Sequence, residues 1–515
     1  MKKAYEKFIA RKEQLDKQYG EAYYKKQHQR GKLTARERIL LLFDEGTFEE
    51  MDAYAPPATA SFGKSADAFG DGVITGFGNV NGRLVYAYSQ DFNVLGGSLG
   101  SVHAAKIAKI QSLALKTGSP IVGLIDSGGA RIQEGVNSLN GYASIFKANV
   151  MSSGVIPQIS VIMGPAAGGA VYSPALTDFI FMTADTSYMF VTGPNVVKEV
   201  LNETVSTEDL GGASVHCTRS GIADFVYNDD ENTILGVKNL LSYLPSNNME
   251  NAPRVKSDDP AERIEEDLRA IVPEDPDKPY DVKDIVRLIV DNGDFLEIAE
   301  GHAANIFTAF ARLDGQSVGI IANQPKVMAG TLDIDSSVKA ARFVNICDAF
   351  NIPIITLEDV PGFLPGTDQE HDGIIRHGAK LLYSYTFASV PKITIIMRKA
   401  YGGAYIVMNS KGIGGDFSYA WPTAEIAVMG PDGAIAILYR KELEASENPV
   451  ALKKELTQQY RDEVANPYIA DEKGFIDEVI DPALTRHKII RALKALDKKT
   501  ESEFKPKRKH GNLPL

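Results

Sequence analysis

Cysteine is nearly absent. Cys217 and Cys347 are the only two in 515 residues, which excludes a disulfide framework and a four-cysteine zinc ribbon. Histidine is also scarce, at eight. His302 and His371 have no ligand spacing with a cysteine or another histidine, so surface or supporting roles are expected and no metal site is expected. Positive charge is in deficit: the net charge of −12 and a pI near 5.3 argue against a nucleic-acid surface and suit a cytoplasmic protein. The opening Met1-Lys2-Lys3-Ala4-Tyr5-Glu6-Lys7 is charged and has no apolar h-region, so no signal peptide is expected. No uninterrupted apolar run reaches membrane-spanning length. The nearest, Val155 to Val171, is broken by Pro157, Gln158, Ser160, Pro165 and three glycines and reads as a strand plus a turn.

What is present is one domain written twice. The composition, 44% hydrophobic and 24% charged, is ordinary for a globular protein, and the length exceeds what one core can serve. Asp44-Glu45-Gly46-Thr47-Phe48-Glu49-Glu50 recurs as Asp291-Asn292-Gly293-Asp294-Phe295-Leu296-Glu297, 247 positions on. Gly82, Gly97, Lys106, Pro120, Asp126 and Gly129 recur as Gly315, Gly330, Lys339, Pro353, Asp359 and Gly362, all at an offset of 233. Pro157 and Gly168-Gly169-Ala170 recur as Pro391 and Gly402-Gly403-Ala404, at 234. Gly193-Pro194 matches Gly430-Pro431, and Gly221 and Asp224 match Gly474 and Asp477. The order never changes while the offset drifts, as expected of duplicated domains. A proline-rich and acidic stretch separates the copies, interrupted by one short helical pattern at Ala261 to Ile271. The expected organisation is a first domain at 1–250, a linker at 251–280 and a second domain at 281–515.

Within each copy, short β-branched runs alternate with helical patterns. Leu84 to Tyr88, a helix from about Ser101 to Lys116, and Ile121 to Ile125 are repeated as Val318 to Ala322, a helix from about Ser336 to Phe350, and Ile354 to Leu357. Such alternation implies α/β domains with parallel βαβ units. Ahead of the first copy, residues 1 to about 42 read as helical, with a capping box at Thr34-Ala35-Arg36-Glu37. The basic cluster of Lys25, Lys26, Arg30, Lys32, Arg36 and Arg38 reads as a solvated helical face, with contact to an acidic partner or a phosphate as the alternative. The basic, proline-bearing tail from Lys505 to Leu515 reads as a surface strap or subunit contact.

The chemistry is carried by glycine. Ile159-Ser160-Val161-Ile162 runs into Gly164-Pro165-Ala166-Ala167-Gly168-Gly169-Ala170-Val171-Tyr172, and Ile393-Thr394-Ile395-Ile396 runs into Lys399-Ala400-Tyr401-Gly402-Gly403-Ala404-Tyr405. A strand that ends in Gly-Gly-Ala and enters a helix points free backbone N–H groups at one spot, where a developing oxyanion is the natural guest. A lone Gly-Gly would more readily be a packing turn; two in equivalent places favour function. Each copy has a second glycine turn, Asp126-Ser127-Gly128-Gly129-Ala130-Arg131 and Asp359-Val360-Pro361-Gly362-Phe363, at a strand end where parallel α/β folds place ligands. Asp126, Arg131 and Asp359 are expected to hold these turns rather than to catalyse.

These motifs, with Asp-Ser-Gly-Gly-Ala-Arg-Ile-Gln-Glu-Gly at 126–135 and Gly-Pro-Ala-Ala-Gly-Gly-Ala-Val-Tyr-Ser-Pro-Ala at 164–175, resemble the carboxyltransferase (β) subunits of biotin-dependent acyl-CoA carboxylases. Propionyl-CoA carboxylase β and the α subunit of methylmalonyl-CoA decarboxylase are the nearest types, and the resemblance covers nearly the whole chain. It implies two tandem crotonase-like (ClpP/crotonase) domains and transfer of a carboxyl group between carboxybiotin and a short acyl-CoA thioester. It further implies that the amides of Gly168 and Gly169 hold the biotin ureido oxygen and those of Gly403 and Ala404 the thioester oxygen, with no side-chain base required. Gly128, Gly129, Ala130, Arg131, Gly362, Phe363, Tyr405 and Ile406 are the implied substrate-binding residues. Arg131 is a candidate for a CoA phosphate, Ile406 would lie near the acyl group, and the run His371 to Gly378 would line the biotin side. Neither a Met-Lys-Met biotin acceptor nor an ATP-binding loop is found, so biotin is expected on a partner. That partner would be a biotin carboxyl carrier protein with its biotin carboxylase, or the membrane subunits of a Na⁺-pumping decarboxylase. A homo-oligomer, by resemblance a hexamer, is implied. The alternatives are a biotin-free crotonase-type hydratase or isomerase, for which glutamates beside Gly129 or Gly403 would be needed and only Glu134 is near, and a non-enzymatic assembly scaffold.

Overall fold

β-Branched runs and the glycine turns that end them build one mixed sheet in each copy of the repeat; the computed structural model describes residues 2–59, 68–500 and 508–512. The first sheet contains β1 (Glu49–Met51), β2 (Val73–Val80), β3 (Arg83–Gln90), β4 (Ile121–Ser127), β5 (Gln158–Ala167), β6 (Phe179–Thr183), β7 (Tyr188–Phe190) and β8 (Phe225–Tyr227). The second contains β9 (Phe295–Glu297), β10 (Ile306–Leu313), β11 (Gln316–Asn323), β12 (Ile354–Val360), β13 (Lys392–Tyr401), β14 (Phe417–Ala420), β15 (Glu425–Ala427) and β16 (Glu478–Val479). The spatial orders, β1-β2-β3-β4-β5-β6-β8 and β9-β10-β11-β12-β13-β14-β16, are the same order twice. In each, the seventh strand of the set pairs alongside the end of the fifth: β7 on β5 and β15 on β13. The first three strands of each sheet are antiparallel and the rest parallel. Asn81 and Gly82, both at positive φ, make the tight hairpin between β2 and β3 that antiparallel pairing needs.

Two units result. One comprises the described residues of 2–250 together with the tail residues 508–512; the other comprises 251–500. The segment expected as a linker folds with the second unit. Val255 donates to the Gly315 carbonyl at 2.9 Å, Ser317 donates to the Pro253 carbonyl at 2.9 Å, and Leu268, Val272 and Tyr280 join its core. The helical pattern at Ala261 to Ile271 shrinks to Leu268–Ile271. Arg263 turns its guanidinium onto the carbonyls of Leu288 and Val290 at 2.7 and 2.9 Å, a tertiary demand that overrides helix propensity. The tail packs on the first unit through Asn512, whose amide donates to Ser153 Oγ at 2.8 Å and whose side chain donates to Asp178 Oδ1 at 2.7 Å; residues 505–507 and 513–515 of that expected strap lie outside the described residues.

The N-terminal helices are Lys2–Gln18, Glu21–His28 and Ala35–Leu42. Thr34 closes the predicted capping box, its hydroxyl accepting from the Glu37 amide at 3.2 Å and its own amide donating to Glu37 Oε2 at 2.8 Å. The basic cluster divides: Lys25, Lys26 and Arg30 are exposed, whereas Lys32 and Arg38 are buried. Arg38 bridges Asp126 at 3.0 Å and Asp230 at 2.7 Å and donates to the Met163 carbonyl at 2.8 Å. The solvated-face reading therefore fails for Lys32 and Arg38, because the ends of β4 and β5 need cations.

The repeat pair Lys106 and Lys339 is structural. Lys106 Nζ donates to the carbonyls of Gly70 and Val73, and Lys339 Nζ to those of Ala299, His302 and Ile306. Beside Lys106, His103 is fully buried: Nδ1 donates to the Asp71 carbonyl at 3.0 Å and Nε2 accepts from Gln90 Nε2 at 3.2 Å. Burial, with Arg131 and Lys106 adding repulsion, holds the imidazole well below its ordinary pKa. The unfolded chain accepts a proton at this residue below about pH 6.5 and the folded one refuses it, so stability falls as pH drops, by up to about 1.4 kcal/mol per pH unit. We expect His103→Gln, which stays neutral, to flatten that slope in urea unfolding measured between pH 5 and 7; an unchanged slope would assign it to other groups.

Candidate active site

The two Gly-Gly-Ala turns sit where β5 and β13 end. β5 passes through Ala167 to Gly168, whose φ of 57° and ψ of −121° reverse the chain into the short helix Gly169–Ala175. β13 passes through Tyr401 to Gly402, at φ 60°, and into the helix Gly402–Val407. A side chain at either position would be strained. The reversal leaves the next two amides without partners among the described residues: Gly169 and Ala170 in the first unit, Gly403 and Ala404 in the second. They are the donors that a helix start cannot pair internally.

The Gly168 amide behaves differently. It donates to the carbonyls of Phe190 and Val191, at 3.3 and 3.1 Å, which ties the turn to the end of β7. Its repeat equivalent is Gly402, not Gly403. In equivalent positions the open donors are thus Gly169 with Ala170 and Gly403 with Ala404, one residue further along in the first copy than the pair Gly168 and Gly169.

The second glycine turns are clamped alike in both copies. Leu99 donates to the Gly129 carbonyl at 2.9 Å and accepts from the Arg131 amide at 3.0 Å; Leu332 donates to the Gly362 carbonyl at 3.0 Å and accepts from the Leu364 amide at 2.7 Å. Gly128 and Gly129 have their own amides occupied, by the Gly96 carbonyl at 2.9 Å and by Ser127 Oγ at 3.2 Å. The Ala130 amide has no partner among the described residues. Phe363 lays its ring against Gly378, near the start of the helix Ile374–Phe387, which follows the helix Thr367–Asp372 after Gly373.

Arg131 is spent inside the fold. It is 2% exposed, pairs with Asp71 at 2.6 Å and Glu134 at 2.9 Å, and donates to the Ser98 carbonyl at 2.8 Å. Glu134 is equally committed, accepting from both the amide and the hydroxyl of Ser101 at 2.7 Å. The glutamate that a hydratase reading looks to is therefore buried and caps a helix start.

Asp126 and Asp359 occupy the same place in the two sheets and are anchored by different means. Asp126 takes Lys32 and Arg38 from the N-terminal segment. Asp359 takes Arg398 Nε at 3.0 Å, the Tyr280 hydroxyl at 2.8 Å and the Lys399 amide at 3.0 Å. The Lys399 bond fixes β13 only three residues before Gly402. Tyr405 is half-buried and Ile406 is 46% exposed, so the two continue from the open amides toward the surface.

One residue escaped the sequence reading. Glu358 is 0% exposed and neither carboxyl oxygen has a hydrogen-bond partner. Burial, and then the neighbouring Asp359, raise its carboxyl far above the ordinary range. The available signal was its repeat position: at the offset of 233 it matches the apolar Ile125.

Among the described residues, no group of three or more His, Cys, Asp or Glu side chains is placed to hold a metal ion, and no helix is long and apolar enough to cross a membrane.

Residues 26–513 match the family model for the carboxyl transferase domain. The chain is 58% identical over 497 residues to the propionyl-CoA carboxylase beta chain of Cereibacter sphaeroides, covering 96% of each. It is 56% identical over 497 residues to the methylmalonyl-CoA decarboxylase subunit alpha of Veillonella parvula, again covering 96% of each. A solved transcarboxylase 12S hexamer, with methylmalonyl-coenzyme A and methylmalonic acid bound, superposes with a TM-score of 0.95 at 50% identity, covering 100% of this chain and 98% of that one.

The two turns differ in room. A Cβ on Gly169 would sit 2.8 Å from the Tyr142 ring, whereas one on Gly403 meets nothing within 4 Å. Gly169→Ala is expected to destabilise by about 1–3 kcal/mol through overpacking, and Gly403→Ala to be neutral or to stabilise by up to about 1 kcal/mol. Urea titrations of the two variants check this; equal effects would mean that the Tyr142 ring yields freely.

Proposed function

The chain belongs to the carboxyl transferase family and is an enzyme of that class, and on that premise we propose that it moves a carboxyl group between carboxybiotin on a partner protein and a short acyl-CoA, with propionyl-CoA and methylmalonyl-CoA as the preferred pair. The observation that carries this reading is the pair of equivalent turns, each presenting two unpaired amides at a strand end. Carboxyl transfer passes through two oxygen-centred negative charges, one on the ureido group and one on the thioester, and so has use for two such sites. Carboxybiotin supplies the carboxyl group and, having released it, the ureido nitrogen that takes up the α-proton.

The residues of this chain would divide the work as follows. Gly403 and Ala404 direct their N–H groups at the thioester oxygen, stabilising the enolate that forms as the α-proton leaves. Gly169, with Ala170 beside it, serves the ureido oxygen; Gly168 would join only by leaving the Phe190 and Val191 carbonyls. Tyr405 and Ile406 border the acyl group, and an apolar Ile406 suits a short aliphatic chain. Ala130 would contribute its open amide to the substrate, with Gly128, Gly129, Gly362 and Phe363 shaping the turns around it. Arg131, held in internal ion pairs, would act through the turn and not on a CoA phosphate. Proton transfer to the ureido nitrogen requires no side-chain base. We assign the chain to a cytoplasmic homo-hexamer that receives biotin from a carrier and its carboxylase.

The identity to a methylmalonyl-CoA decarboxylase subunit supports a second use of the same site, with the carboxyl group passing to biotin and onward to a decarboxylating membrane partner. The site chemistry is the same in reverse.

Purified protein supplied with methylmalonyl-CoA or malonyl-CoA and free biotin is expected to release propionyl-CoA faster than acetyl-CoA, in a biotin-dependent manner. No release from either, even with a biotin-carrying partner present, would overturn the reading. Gly403→Pro removes one donor at a helix-start position that tolerates proline and should lower turnover by about 10²–10³, while Gly403→Ala keeps the amide and should keep activity. A loss in both variants at equal size would point to the loop's shape and not to the donor.

A further inference from the structure

Three buried polar side chains of the first unit, Asn149, Gln158 and Ser173, are 3%, 1% and 5% exposed and are joined by hydrogen bonds. Asn149 Nδ2 donates to Gln158 Oε1 at 3.0 Å, Gln158 Nε2 donates back to the Asn149 carbonyl at 3.0 Å, and Ser173 Oγ donates to Asn149 Oδ1 at 2.9 Å. They come from three elements: Asn149 from the helix Val136–Ser152, Gln158 from the first position of β5, and Ser173 from the helix Gly169–Ala175. β5 leads from Gln158 to the glycine turn, and the helix after the turn carries Ser173. Asn149 therefore grips both arms of the turn that leaves the Gly169 and Ala170 amides open.

The second unit has the same strand, turn and helix without this clamp. Gln158 and Ser173 correspond to Lys392 and Val407, both at an offset of 234, and Lys392 likewise opens its strand, β13. Lys392 Nζ donates to the Tyr385 carbonyl at 2.7 Å, which keeps the tie from strand start to preceding helix. Val407 is buried and has no hydroxyl, so the tie does not continue to the helix after the turn. What the second unit has in its place is a backbone bond: the Met408 amide donates to the Ala404 carbonyl at 3.0 Å. The equivalent of Met408 in the first unit is Pro174, which has no N–H to offer the Ala170 carbonyl. One copy thus secures the carbonyl beside its open amides through the helix ladder; the other forgoes that bond and has the Ser173–Asn149–Gln158 trio.

We propose that Asn149 is a positioning residue for the Gly169 and Ala170 amides: through Ser173 and Gln158 it holds the helix after the turn to the start of the strand before it, in place of the ladder bond that Pro174 gives up. Asn149 is buried and acts through Ser173, not on a substrate. Open donors serve an oxyanion only while they stay aimed, and a side-chain amide bonded on both sides supplies that direction where the helix backbone does not. This rests on the assignment of the Gly169 and Ala170 amides to the ureido oxygen, and the test separates the two.

Threonine and valine share a shape and differ in the hydroxyl, so Ser173→Thr and Ser173→Val separate the bond from the volume. Hydrogen–deuterium exchange of the full-length protein, read by mass spectrometry, needs no catalysis. The peptide covering 168–175 should exchange about threefold or more faster in Ser173→Val and Asn149→Leu than in wild type or Ser173→Thr, with the peptide covering 402–407 unchanged. No change in Ser173→Val, or an equal change in Ser173→Thr, overturns the clamp. In the methylmalonyl-CoA assay with free biotin, Ser173→Val and Asn149→Leu should each lower kcat/KM for biotin by about tenfold, Ser173→Thr should stay within about threefold of wild type, and the double variant Ser173→Val with Asn149→Leu should fall no further than either. The Kd of propionyl-CoA, measured by calorimetry, should stay within about twofold in all of them, because the other turn is untouched. A fully active Ser173→Val, losses that multiply to about a hundredfold, or a propionyl-CoA Kd that weakens in step with the biotin kcat/KM overturns the positioning role. If Ser173→Val does not assemble, Ser173→Ala replaces it in each comparison. A wild type with no activity defeats the function assigned above and leaves the exchange test in force.

Discussion

A strand that must turn straight into a helix, with its first helical amides unpaired, is the constraint on which each unit depends. The turn needs a left-handed residue, which Gly168 and Gly402 supply at φ 57° and 60°. It also needs the strand behind it held still, since donors work as an oxyanion site only when they are already aimed. β5 and β13 lie inside their sheets with neighbours on both sides, and short β7 and β15 extend the pairing to the last residues before the turn. Backbone pairing thus reaches as far as it can without consuming the amides that the site has to leave open.

Buried charge does the remaining fixing. Asp126 and Asp359 occupy one repeat position and face one requirement, to hold the end of a central strand, but they recruit different partners. In the first unit the cations come from the N-terminal helical segment through Lys32 and Arg38. In the second, Arg398 comes from β13 itself and Tyr280 from the segment that precedes the repeat. Removing one partner of such a pair strands a buried charge at a cost of about 3–5 kcal/mol, so each network locks its strand end once formed. The duplication preserved the carboxylate and left the counter-charge free to be rebuilt locally.

Much of this was legible in the sequence because it rests on short-range signals. The glycine spacings, the β-branched runs and the capping box at Thr34 are local, and the repeat made each of them visible twice. The destination of side chains was not. Lys32 and Arg38 read as part of a solvated basic face because their partner Asp126 is about ninety positions away in sequence. The 251–280 segment reads as a linker by its prolines and acidic residues, yet Leu268, Val272 and Tyr280 give it enough apolar surface to join a core. Gly168 is grouped with Gly169 as a donor by resemblance to the family, and the reach of β7, which takes up its amide, is not legible in the sequence.

The two copies then diverge where their tasks differ. Each keeps the reversal, the open amides and the anchored carboxylate, which any oxyanion site on this scaffold requires. Elsewhere the first copy has Ile125 and Val171, both in its apolar cluster, and its Gly169–Ala175 helix is also held by Ser173 Oγ, which donates to Asn149 Oδ1 at 2.9 Å. The second has Glu358 and Tyr405 at the equivalent positions, the first fully buried and the second half-buried. The copy proposed to hold the thioester oxygen must keep two amides aimed while an acyl group enters beside Tyr405 and Ile406.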